Sequence, residues 1–285
     1  MDDEASGNRL GDYLRARREL VSPEQAGIPP GGNRRVPGLR REEVALLAGI
    51  SPDYYLRLER GRDRNPSPQV LGALARVLRL DEVERTYLLG LAAARPRAPR
   101  RKRPEHVPAR VHELLAQLPF PAFVEGRAFD VLAANPMARA LSPRLRPGEN
   151  RLRSLLLDPE ERSFHRDWAG ATADFVAALR TSVGDDTDDP RFVELVGELA
   201  LSSARFRTLW ARHDVRDLGG GTTTLHHPVV GELRLHRDKL PVADVILVVY
   251  YPDRGGDSDE KLRLLAALAA DEPEGAGPGA PASGG

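Results

Sequence analysis

Positions 51 to 57 of the chain read SPDYYLR, so that Ser51, Asp53, Tyr54 and Arg57 bring a hydroxyl, a carboxylate, a phenol and a guanidinium close together, with Pro52 beside the first. A carboxylate can accept from the amino group of cytosine, and a guanidinium can donate to guanine or to a phosphate. Carried on the exposed start of a short helix, these groups could read base edges in a DNA major groove. Other chemistries fare worse. His226, His227 and His236 invite a metal, but His226 and His227 on one strand face opposite sides, and the chain holds no cysteine. The acidic run at 184–189 lacks calcium-loop spacing and its distal glutamate. With no nucleophile elbow, phosphate loop or paired-acid site in context, neither an enzyme nor a bound cofactor or metal is expected.

The elements that must position these groups follow from periodicity. In GLRREEVALLAGISPDYYLRLERG, residues 38–61, Val44, Ala45 and Ala48 fall at helical spacing, Gly49 permits a tight turn, and Ile50 restarts the apolar register. Ser51 followed by Pro52 is a helix start, since the hydroxyl takes an orphan amide and proline has none to orphan. Tyr55 and Leu58 point inward and Gly61 supplies the stop, so Ser51 to Arg60 is the helix expected to enter the groove. A helix from Asn8 to Leu20 precedes this pair, a fourth starts at 66–68, and Asp81 with Glu84 caps a fifth that runs through Ala93.

The spacing of Arg41, Glu43-Val44-Ala45, Ala48-Gly49-Ile50-Ser51 and Leu58-Glu59-Arg60-Gly61 resembles the phage-repressor-like, xenobiotic-response-element class of bacterial regulators. More narrowly, GLRREEVALLAGIS with YY and LERGR after it resembles the MmyB-like regulators common in actinobacteria. The resemblance implies a pairing of Arg18 with Glu59, a phosphate grip by Arg41 where the broader class usually has glutamine, and backbone contacts from Arg60, Arg62, Arg64 and Asn65. One such motif reads few base pairs, so a homodimer on an inverted-repeat operator is expected.

Composition supports two domains of different character. Of 285 residues, 1–103 hold 21 basic and 14 acidic side chains, whereas 104–285 hold 21 basic and 28 acidic ones, so only the first part suits a polyanion. No apolar run is long enough for a membrane span or has a cleavage signal, and a cytoplasmic protein without a membrane partner is expected. Residues 21–37 form a long Pro- and Gly-rich loop in which Arg34 and Arg35 either lie solvated or reach phosphates on DNA. Residues 94–108 break every periodic pattern and read as a basic, Pro-rich linker.

Beyond it come a helix at Ala109 to Gln117, a hairpin around Gly126-Arg127 and a helix started by Asn135-Pro136, and AFDVLAANPMARAL, a strand leading to that helix, resembles the opening of a PAS-like sensor, as found in the MmyB-like family. Helices bearing Trp168, Phe175 and Arg180, then Phe206, Trp210 and His213, precede three strands at 222–227, 231–236 and 245–251, the last nearly all apolar and hence central. The aromatic residues are expected on helices facing this sheet, either as plain core or as a pocket wall. The resemblance implies a small, largely apolar ligand such as a fatty acid, with Arg180, His213 and His227 available to its carboxylate. A second half that serves only dimerisation or protein contacts stays open as the alternative. The expected fold is therefore multidomain: an all-α five-helix lambda-repressor-like domain (1–93), the linker (94–108), an α+β PAS-like ligand-binding domain (109–270) and a low-complexity tail (271–285).

Overall fold

The computed structural model describes residues 8–29, 38–63, 65–92, 105–183 and 189–271. Arg34, Arg35 and Arg64, most of the linker, the acidic turn at 184–188 and the tail from 272 lie outside the described residues. Contacts group the chain into two units, the first made of 1–103 and 169–218, the second of 104–168 and 219–285.

The first unit opens with five helices, α1 (Arg9–Leu20), α2 (Arg41–Ala48), α3 (Pro52–Glu59), α4 (Pro68–Val77) and α5 (Glu82–Ala92). Their apolar stripes close one core that includes Leu10, Tyr13, Leu14, Val44, Tyr55, Leu58, Leu71, Leu74 and Leu88. Gly49 sits at φ 68° after α2, the left-handed geometry in which its amide and that of Ile50 both return to the Ala45 carbonyl. Ser51 then accepts from the Tyr54 amide at 3.1 Å with Pro52 in the first turn, which starts α3 in its new direction. Asp81 and Glu84 cap α5 reciprocally at 2.8 and 2.9 Å.

The same unit takes α10 (Trp168–Val183), α11 (Pro190–Ser202) and α12 (Ala204–Ala211). The contacts of 169–218 group with the five N-terminal helices, a partner that the sequence reading did not foresee for them, while Trp168 groups with the sheet. Hydrophobic spacing tells that a helix has a buried side but not what buries it.

The second unit is built on a five-stranded antiparallel sheet of order β2-β1-β5-β4-β3, from β1 (Ala122–Glu125), β2 (Val131–Ala134), β3 (Gly221–His227), β4 (Gly231–Val242) and β5 (Val245–Tyr251). The period of two sorts β5 cleanly. Val245 and Leu247 join Ala122 and Val124 beneath α6 (Ala109–Gln117), while Val248 and Tyr250 join Phe123 beneath α7 (Pro136–Leu141) and α13 (Asp257–Asp271). A strand covered on both faces has to be apolar throughout, which is why β5 is central. Two further short helices, α8 (Arg151–Leu157) and α9 (Pro159–Phe164), complete this unit. Asp158 caps α9 by accepting from the Glu160 amide, and after α9 stops at Phe164 α10 begins anew at Trp168.

Asn135 joins three pieces of this unit. Its Oδ1 accepts from the amides of Ala138 at 2.8 Å and Ala122 at 3.1 Å, capping α7 and closing the end of β1. Its Nδ2 donates to the Phe120 and Leu118 carbonyls at 2.8 and 3.2 Å. Among the described residues no helix is long and apolar enough to cross a membrane.

Candidate nucleic-acid interface and candidate ligand site

The start of α3 divides its side chains sharply. Ser51, Pro52, Asp53 and Arg57 are exposed and Tyr54 is half-buried, while Tyr55, Leu58 and Glu59 are fully buried. Arg57 lies 5.5 Å from the centre of the Tyr54 ring, an arrangement that holds the guanidinium along the helix surface. Arg60, Arg62 and Asn65, just past the helix, are exposed as well. The five expected base-reading positions and these flanking groups thus share the accessible side of one helix-turn-helix.

Behind that face is a buried carboxylate. Arg18 Nε donates to Glu59 Oε1 and Arg41 Nε to Glu59 Oε2, both at 2.6 Å. Burial would push the Glu59 carboxyl up, but hydrogen bonds from Arg18 and Arg41 hold it below the ordinary carboxylate range. Arg41 therefore has a structural partner beyond the phosphate grip expected of it, and its side chain keeps 44% exposure at the rim of α2. Arg18 also donates to the Leu39 carbonyl at 2.9 Å, which ties the end of α1 to the start of α2.

The expected ligand residues divide between the two units. Trp168 and His227 belong to the second unit, whereas Phe175, Arg180, Phe206, Trp210 and His213 belong to the first. His227 is a satisfied core histidine: Nδ1 accepts the Val229 and Val230 amides at 3.2 and 3.3 Å, and Nε2 reaches the Ala140 carbonyl at 3.0 Å, so no ring nitrogen is left for a carboxylate. Trp168 donates its indole N–H to the Leu155 carbonyl at 2.7 Å and lies beneath Arg162.

In the first unit four of the remaining five come together. Phe206 and Trp210 stack at 5.4 Å, and the Arg180 guanidinium lies 4.0 Å from the Trp210 ring centre. Arg180 Nη2 donates to the Trp210 carbonyl at 2.5 Å, and Nη1 approaches His213 Nδ1 at 3.3 Å. Burial lowers the Arg180 pKa, with hydrogen bonding to Tyr87 of α5 opposing it. Burial, then the Arg180 charge, pushes His213 down to about 4, so the ring is neutral at physiological pH and can accept from Arg180. Nearby, Val83, Thr86, Tyr87, Gly90 and Leu91 of α5 meet Thr181 of α10 around an open cavity of about 410 Å³ rimmed by Glu82 and Asp217.

Two charged groupings have no counterpart in the sequence reading. Arg17 of α1 bridges Glu84 and Asp214. In the second unit, the wholly buried Glu125 of β1 meets Arg151 of α8 at 2.9 Å and Lys239 of β4 at 2.5 Å, and Arg151 reaches the Tyr250 hydroxyl at 3.1 Å. Glu125 carried a signal, being a carboxylate inside an apolar strand, since such a group must be paired when buried. Asp214, on a polar stretch between α12 and β3, carried none. Among the described residues no cluster of three or more His, Cys, Asp or Glu could hold a metal ion.

An exposed, polar recognition face on a buried, charge-braced helix pair is the build of a DNA-binding regulator, and residues 9–88 match the family model described as the helix-turn-helix domain. Residues 107–265, more than half of the chain, match the MmyB-like transcription regulator ligand binding domain, and the chain belongs to that family. No curated protein matches it. It is a helix-turn-helix transcriptional regulator with DNA as partner and a domain of a ligand-binding kind.

Proposed function

We propose that the chain works in the cytoplasm as a homodimer on an inverted-repeat operator, reading bases with Ser51, Pro52, Asp53, Tyr54 and Arg57 and holding the backbone with Arg41, Arg60, Arg62, Arg64 and Asn65. The observation that carries this reading is the sorting of α3, with Asp53 and Arg57 exposed over buried Tyr55, Leu58 and Glu59. Its role is regulatory and not catalytic. Sequencing the duplexes that the purified chain retains from a random pool tests it. The expected product is two half-sites about 10 base pairs apart, and Arg57→Ala is expected to relax choice at one position in each. Retention without any shared sequence would overturn the reading.

The ligand of this reading is a small apolar acid of the fatty-acid kind, met by Arg180. Support comes from the chemistry around that guanidinium: Trp210 offers a carbonyl, His213 a neutral ring nitrogen and Tyr87 a hydroxyl, all uncharged partners. A buried cation bonded to neutral acceptors gains from an incoming carboxylate. Thermal-shift titration with saturated acids of graded chain length should raise the unfolding midpoint of the wild-type chain and leave Arg180→Met unmoved. Equal shifts in both, or none in either, would remove Arg180 from the ligand site.

A further inference from the structure

We infer that Arg17 and Asp214 are positioning residues for DNA binding, because α1 carries any displacement of the segment after α12 to the recognition helix α3. The inference rests on the reading of α3 as the helix that contacts DNA.

Arg17 is shared by two carboxylates of different origin. Its Nη2 lies 2.6 Å from Glu84 of α5, inside the helix-turn-helix region, and its Nη1 lies 2.9 Å from Asp214, inside the stretch that matches the ligand-binding family. Arg17 is only 13% exposed, and Arg212 fixes the other Asp214 oxygen at 3.0 Å. A helix advances about 100° per residue, so the next side chain, Arg18, leaves α1 toward a different side. There it grips Glu59 at the end of α3, and Glu59 in turn holds Arg41 at the start of α2.

The helix that carries both arginines has little freedom to slip against α3. Asn8, ahead of α1, donates to the Glu59 carbonyl at 2.8 Å, and a methyl at Gly11 would sit 2.3 Å from that same oxygen. At the other end the Leu39 amide donates to the Arg18 carbonyl at 3.1 Å, and a methyl at Gly38 would sit 2.5 Å from the Glu19 carbonyl. A rotation of α1 therefore moves the ends of both helices of the DNA-binding motif, since packed interfaces shift as bodies and do not deform smoothly. Asp214 supplies the pull on Arg17 that comes from outside the helix-turn-helix region.

The experiment uses the full-length chain labelled with ¹⁵N-arginine, and follows hydrogen exchange at the Arg18 and Arg41 Nε–H groups together with affinity for a duplex retained by the wild-type chain. Asp214→Asn is expected to speed exchange at Arg18 roughly fivefold and to weaken DNA binding about three- to tenfold. Asp214→Glu should restore both, and Arg17→Gln combined with Asp214→Asn should be no worse than the more damaging single change, because both act on one link. A merely structural role would lower the unfolding midpoint without singling out these two side chains. Unchanged Arg18 exchange overturns the inference, and so does altered exchange with unaltered affinity. Arg57→Ala separates the two readings: if it too leaves binding intact, α3 is not the contact helix and both readings fall, whereas binding weakened by Arg57→Ala but not by Asp214→Asn overturns the inference alone.

Discussion

At the scale of single residues, His213 shows how one ring is set by its neighbours. It follows α12 at φ 55°, a left-handed conformation that Asn and His tolerate better than most side chains, and this turns its ring toward Arg180. Its pKa falls from 6.5 unfolded to about 4 folded. Between those values the unfolded chain binds more protons, so stability is lost as pH falls through that window. The unfolding midpoint should accordingly drop between pH 7 and pH 5. His213→Asn, which keeps the left-handed turn and removes the titration, should drop less, and melts of both chains at the two pH values check this. Glu84 acts in the opposite direction, because burial raises its pKa, so the difference between the two chains and not the raw curve reports on His213. The histidine was singled out in the sequence as a ligand group. Its neutrality was not legible there, because it depends on burial and on an arginine 33 positions away.

Among the elements, those whose cause is local were readable and those whose cause is distant were not. The turn at Gly49, the Ser51-Pro52 start, the reciprocal Asp81 and Glu84 cap and the all-apolar β5 each follow from a few adjacent side chains. Helix α8 was not foreseen. Its stripe of Leu152 and Leu155 is short, and Arg151, 9% exposed and paired to Glu125, looks like a surface residue until its partner is known. The grouping of α10 to α12 with the N-terminal helices was not legible for the same kind of reason, since an apolar helix face fits a sheet or another helix equally well. Asn135 was legible as a helix cap but not as the joint of three segments. Asn135→Ala should cost about 2 to 3 kcal/mol, more than a cap alone, because buried amides and carbonyls lose their partner with it. Urea unfolding with an unchanged slope and a lowered midpoint would register that loss.

Over the whole molecule, the division of charge was evident before any fold was known, with 1–103 carrying a surplus of basic side chains and 104–285 of acidic ones. The exposed Arg41, Arg57, Arg60 and Arg62 give that surplus an address on the helix-turn-helix. A dimer that used Arg41, Arg60 and Arg62 of each copy on phosphates would release many counterions, so affinity for its operator should fall roughly a thousandfold between about 50 and 200 mM salt. Anisotropy titrations across that range measure it, and a nearly flat response would mean that these arginines do not touch phosphates.

The close approach of Gly11 to the Glu59 carbonyl has a practical side. The surface proposed to choose a base sequence and the seat that holds it upright are made of different residues, Asp53 and Arg57 on one hand, Asn8, Gly11, Arg18 and Glu59 on the other. A library randomised at the former can be screened for altered operator preference while the latter stay fixed. Variants with a new target should still keep glycine at position 11, where even one added carbon has no room.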